Sequence, residues 1–200
     1  MTTIEELQDN KEIFESDLKT IFKIFGLSRF LKDVLLWISI LISLILSIIL
    51  YFNSNQQLIY INKIKNICFM IVPAMVGLSV AGFAIAMTQF DRNTLEKIAD
   101  IDDGENSSLY QKTSAVFSVT IFVQVTALLM AVIAEFVMPF STKVSISYKT
   151  ANIINSISFF ILCQTFLYAI FIIIDLVKNI FACSQTLNFL IILNKILDNK

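Results

Sequence analysis

The 200-residue chain has no histidine, which removes the commonest general base and the usual zinc or haem ligand. Hydrolases built on a Ser–His–Asp triad and His-containing metal sites are thereby excluded. Cysteine is scarce: Cys68, Cys163 and Cys183 form an odd set without C-x-x-C spacing, and they read as small buried hydrophobes. Four glycines and two prolines leave no Gly-rich phosphate loop and no Pro-rich tail. Charged residues make up only 16% of the chain, against about 25% in ordinary soluble domains. The 15 Lys+Arg and 16 Asp+Glu nearly cancel, to a net −1, so no global basic field exists to hold duplex nucleic acid. No credible nucleophile and base share an apolar segment, so no enzyme activity, cofactor or metal is expected.

What the chain has instead is hydrophobicity: 56% of residues are hydrophobic and the mean hydropathy is +0.77. Uncharged runs at 34–52, 66–90, 113–134 and 150–174 are each near or above the roughly 20 residues a helix needs to cross a bilayer. The first carries Trp37 near one end and Tyr51 and Phe52 at the other, where amphipathic rings favour the two interfaces. It is too long and too far along the chain for a cleavable signal. The expected fold is all-α: an integral membrane four-helix transmembrane bundle over 30–178. A cytoplasmic amphipathic helix precedes it at 1–29 and an interfacial helix follows at 179–200.

Orientation follows from basic residues, which are retained on the cytoplasmic side. Alternate loops carry 11 and 4 Lys+Arg, so both termini are expected in the cytoplasm. Acids divide 15 to 1 in the same sense, with Glu135 alone near the outer surface. Between Thr3 and Leu27, residues Ile4, Leu7, Phe14, Leu18, Ile21, Phe22 and Phe25 recur at helical spacing, with Gly26 as a bend into the first span. This helix either packs on its neighbours or serves as a moving gate, and packing is the favoured of the two. From Asp91 to Lys112 a short helix is expected to stop at Asp102-Asp103-Gly104. The acids there miss EF-hand spacing and read as a solvated turn. The apolar stretch in 179–197 is too short to cross and reads as a helix on the cytoplasmic side.

No acid or base falls at the middle of any of these runs, so the proton relays of many pumps are not expected. Uncharged polar residues form rows instead. Ser39, Ser43 and Ser47 line one face of the first span, Thr113, Thr120 and Gln124 the third, and Asn152, Ser156, Gln164 and Tyr168 the fourth. Gln124 and Gln164 both fall near the midplane. On the second span, Gly77 with Ala81 and Gly82 with Ala86 have the small-residue spacing that lets helix backbones approach. Two explanations of the rows stand side by side. Either they hydrogen-bond one another as glue inside the bundle, or they line a water-filled path within one chain or between protomers. On the second explanation Ser39, Ser43, Ser47, Thr120, Gln124, Gln164 and Tyr168 line the pore. Glu135 and Asp175 then stand at its two mouths and favour cations weakly.

The amphipathic prefix Thr3 to Leu27, the run Val76-Gly77-Leu78-Ser79-Val80-Ala81-Gly82-Phe83-Ala84-Ile85-Ala86, the polar linker Asp91 to Lys112 and inward-facing termini give the chain a plan. That plan resembles the small four-helix bacterial membrane effectors of antiphage and abortive-infection systems, including the Hailong-type channel component. The likeness covers most of the chain and is one of architecture. It implies a homo-oligomeric channel in the bacterial inner membrane, controlled by a cytoplasmic nucleotide or oligonucleotide ligand. Candidate anion-binding residues are Lys19, Lys23, Arg29, Lys32, Arg92, Lys97 and Lys112, for which lipid headgroups are the competing partner. A non-conducting partner or immunity-type membrane protein, and a small transporter subunit, are the alternatives.

Overall fold

A computed structural model describes residues 18–26, 31–53, 56–88, 109–141 and 147–198. Five helices account for nearly all of these: α1 (Leu18–Phe25), α2 (Val34–Phe52), α3 (Gln57–Thr88), α4 (Leu109–Ser141) and α5 (Tyr148–Asp198). No strand occurs among the described residues. Helices α2 to α5 each contain a segment long and apolar enough to cross a membrane, and the chain is a multi-pass membrane protein. The expected helix at 91–101, its stop at Gly104 and the prefix before Leu18 lie outside the described residues.

Local signals set the helix ends. Gly26 closes α1 at φ 83, a left-handed conformation that glycine adopts without a Cβ clash, and its N–H donates back to the Phe22 carbonyl at 3.0 Å. Asp33 caps α2, its Oδ1 accepting from the Leu35 N–H at 2.9 Å. At the other end the Asn53 N–H and side-chain Nδ2 both donate to the Ile49 carbonyl, at 3.2 and 3.1 Å.

Contacts fix the directions. Lys65 meets Glu135, and the Phe83 and Phe117 rings lie 5.0 Å apart, so α3 and α4 run antiparallel. Gln57 reaches Asn152 and Ser156, while Met75 clusters with Ala169, so α3 and α5 run parallel. Helix α5 touches α2, α3 and α4 and is the centre of the bundle. Its apolar core runs from Leu50, Ile61 and Cys68 past Val72, Ala131, Leu162 and Phe166. Helix α1 packs through Ile21, Phe22 and Phe25 on Val116, Val119, Tyr168 and Ile172, with Phe22 edge-on to Phe122 at 5.6 Å. It thereby continues along α4 and α5 the coverage that α2 begins.

Two boundaries differ from the sequence reading. Helix α3 starts at Gln57 and carries Lys63 and Lys65 within it, whereas the uncharged run begins at 66. Lys65 is buried, and its charge is met by Glu135 and by Asn62 Oδ1 at 2.9 Å. A neutralised cation no longer forces the helix to end at the membrane surface. Helix α5 runs unbroken for 51 residues to Asp198, about 76 Å at 1.5 Å per residue, so the tail from 179 is a continuation of the fourth span and not a separate element. Nothing in 174–182 breaks helices: no Pro or Gly occurs there.

Lipid tails are as apolar as a protein interior, so packing rather than transfer from water dominates the energetics of such a bundle. Phe117, 1% exposed and set between Val116, Leu176 and Phe83, is the test position. Phe117→Ala is expected to destabilise by about 2 kcal/mol through its cavity term alone. Unfolding in mixed micelles measures this, and a loss below about 0.5 kcal/mol means the site collapses without a cavity.

Candidate functional site

Helix α2 inverts the soluble-protein pattern. Its buried side chains are Ser39, Ser43, Ser47 and Leu50, while Val34, Trp37, Leu41 and Phe52 are exposed. Serines at i, i+4 and i+8 share one helix face, and that face lies on α5, where Asn152, Ser156, Gln164 and Tyr168 repeat at multiples of four. The two rows meet in antiparallel register and form one seam along the whole of α2.

The seam can be followed bond by bond. Tyr168 Oη donates to Asp33 Oδ2 at 3.1 Å. One turn further, the Gln164 carboxamide is held by two serines: its Nε2 donates to Ser39 Oγ at 2.9 Å, and its Oε1 accepts from Ser43 Oγ at 3.3 Å. Ser47 Oγ donates to the Ser156 carbonyl at 2.8 Å. At the far end Gln57 Nε2 donates to Asn152 Oδ1 and to Ser156 Oγ at 3.1 Å, and Asn152 Nδ2 donates to the Tyr51 carbonyl at 3.3 Å. The wall of the seam is uncharged, and Asp33 supplies the one formal charge at its end. Each bond crosses from α5 to α2 or to the start of α3, so the rows of the first and fourth spans face each other within one chain.

The remaining pore candidates lie elsewhere. Thr120 and Gln124 are fully buried on the face of α4 that meets α3 and α5. Thr120 Oγ1 donates to its own helix, at the Val116 carbonyl, 2.8 Å away. Glu135 is engaged by Lys65 on the α3–α4 side, and Asp175 by Lys178 at 3.2 Å along α5; neither stands on the seam. Its acid is Asp33, which the sequence reading did not single out. Gln57 was also missed, because the short connection between α2 and α3 was read as extending to residue 65.

The small-residue pairs separate. A Cβ on Gly82 would lie 3.8 Å from Phe117 Cε1, and Ala86 packs in the same cluster. Gly77 and Ala81 instead face outward, with nothing within 4 Å of a Cβ at Gly77. Among the cations, Lys19, Lys23 and Lys32 are exposed and Lys112 is half-buried. All four belong to the end of the bundle where α1 packs. Arg29, Arg92 and Lys97 lie outside the described residues. No protein-family model, curated protein or solved structure matches the chain.

Proposed function

We propose that the chain is a subunit of an oligomeric membrane channel, closed in this conformation by the α2–α5 seam and gated from the cytoplasmic side. The observation that supports it is the seam: uncharged polar groups running the length of a membrane-spanning helix, bridged by side-chain hydrogen bonds, with apolar packing from α2 through Leu36 and Leu50. Such bonds average about 0.6 kcal/mol in a membrane. The handful linking α2 to α5 therefore amounts to roughly 3–4 kcal/mol, within reach of the about 5.5 kcal/mol by which a ligand shifts a gate from 1:99 to 99:1. Opening consists of α2 leaving α5, which turns Ser39, Ser43, Ser47 and Gln164 toward water. The neutral wall gives weak selectivity, and Asp33 at the mouth favours cations.

Helix α1 connects this movement to the cytoplasm. It packs on α4 and precedes Asp33, which both caps α2 and accepts from Tyr168. A nucleotide or oligonucleotide drawn to Lys19, Lys23 and Lys32 acts on that segment. A bacterial inner membrane and a role in antiphage defence complete the reading. Its test is conductance of the reconstituted protein under voltage ramps. Tyr168→Phe removes the charge-assisted bond at the mouth, which is worth at least about 1.4 kcal/mol, and is expected to raise the open fraction about tenfold. Silence of both wild type and Tyr168→Phe at every voltage overturns the proposal.

One observation favours a second reading. The outward Gly77–Ala81 pair suits close approach by another helix, as a non-conducting partner protein requires. Stable co-purification of a different membrane subunit, lost in Gly77→Leu, supports that reading over the channel.

A further inference from the structure

Gln57, Gln124 and Gln164 are spanning-helix glutamines with little or no exposure, and two of them are used as cross-helix clamps. Gln57 and Gln164 bond to side chains of neighbouring helices. Gln124 does not. It is 0% exposed, and neither its Oε1 nor its Nε2 has a partner in the protein. Buried polar groups are paired in the great majority of cases, and an apolar residue of the same shape is the more stable choice where no partner exists. Its surroundings combine small and polar groups. Thr120 and Ala127 share its face of α4, both 0% exposed, with Thr120 keeping its acceptor lone pairs while it donates to Val116. The Lys65–Glu135 and Phe83–Phe117 pairings set α3 so that Met75 and the buried Ser79 fall within about a turn of Gln124. Across on α5 stands Ala169, 0% exposed, in one cluster with Met75 and Ala127. Met75 is the adaptable side chain of the group. Among the described residues nothing bonds the carboxamide, so the partner it fits is a small polar guest inside the three-helix core.

We propose that Gln124 is a water-binding site in the α3–α4–α5 interior, where its Oε1 accepts from, and its Nε2 donates to, a bound water that Thr120 and Ser79 help to hold. A water with two to four such partners is an ordinary part of a protein interior. The site is separate from the α2–α5 seam and stands whether or not the seam conducts. It also accounts for a Gln at a position where glue would need a partner.

The experiment is radiolytic hydroxyl-radical labelling in ¹⁸O-water of the full chain in lipid nanodiscs, read by mass spectrometry at Met75. Radicals made from a bound water label the side chain beside it, although Met75 is only 8% exposed. Wild type is expected to label Met75. Gln124→Leu is expected to lose the label, with a melting temperature equal to or up to about 4 °C above wild type. Gln124→Met, which keeps the length of the side chain, repeats the comparison if the Leu variant does not fold. An unlabelled Met75 in wild type overturns the site. So does a label that survives in the folded variant, or a melting temperature that falls by more than about 4 °C, since that fall means a protein partner has been lost.

Discussion

Conductance through bilayers containing the Ser43→Cys protein, in a Cys68→Ala background, is expected to fall to baseline on oxidation and to return on reduction. Ser43 on α2 bonds Gln164, whose chain neighbour on α5 is the buried Cys163, so a thiol at 43 faces Cys163 across the seam and is placed to form a disulfide with it. The bond ties α2 to α5 at the middle of the seam, between the Gln164 clamp and the Ser47–Ser156 contact. Cys68 is removed because it shares the core cluster of Cys163 and competes for it. Closure of the cross-link is followed by mass, independently of current. A quantitative cross-link with undiminished current means that α2 does not leave α5 on opening, and the seam is then glue alone.

A large loss of stability is expected from breaking the Lys65–Glu135 pair. The Lys65 side chain is 9% exposed, and its ammonium is met by the Glu135 carboxylate, itself 54% exposed. Removing one partner of a buried pair leaves an uncompensated charge, which costs about 3–5 kcal/mol when both groups are buried. Because water or headgroups screen the exposed half of Glu135, Glu135→Ala is expected to destabilise by about 2 kcal/mol. The double variant Lys65→Met with Glu135→Leu is expected to recover most of that loss, since apolar residues of similar volume replace a buried pair at little cost. A double-mutant cycle in mixed micelles measures the coupling. Additive losses in the cycle would falsify the pairing as a stabilising contact between α3 and α4.

Much of this architecture was legible before any contact was known. Four uncharged runs announced the spans, because a charge in hydrocarbon is expensive and uncharged stretches of that length have few other uses. Asp33 and Asn53 ended the first helix where the run ended. The rule failed at Lys65, because it treats each helix as alone in lipid. A partner on α4, 70 residues away in sequence, lets the cation lie inside the helix bundle. The α5 boundary was set at the last apolar residue of the span rather than at Asp198, because hydropathy marks where a span ends and not where a helix without Pro or Gly ends.

The candidate site divides in the same way. Spacing placed Ser39, Ser43 and Ser47 on one face, and Asn152, Ser156, Gln164 and Tyr168 on another, since helical periodicity is a property of one segment. Which face meets which is not. Ser39 bonds Gln164 across 125 residues, and Tyr168 bonds Asp33 across 135. That pairing makes Asp33 the acid at the mouth and leaves Glu135 to Lys65. It also separates Gln57 and Gln164, which clamp neighbouring helices, from Gln124, which has no protein partner.

The sequence by itself determined the solvent, the number of spans and the periodic faces, because hydropathy and helical repeat are local and additive along the chain. Only the tertiary structure decided which polar face meets which, which charge is neutralised and which carboxamide stays unpaired. Those outcomes depend on the register between helices distant in sequence, and in a medium that offers no hydrogen bonds a polar group's consequence is set by the neighbour it finds.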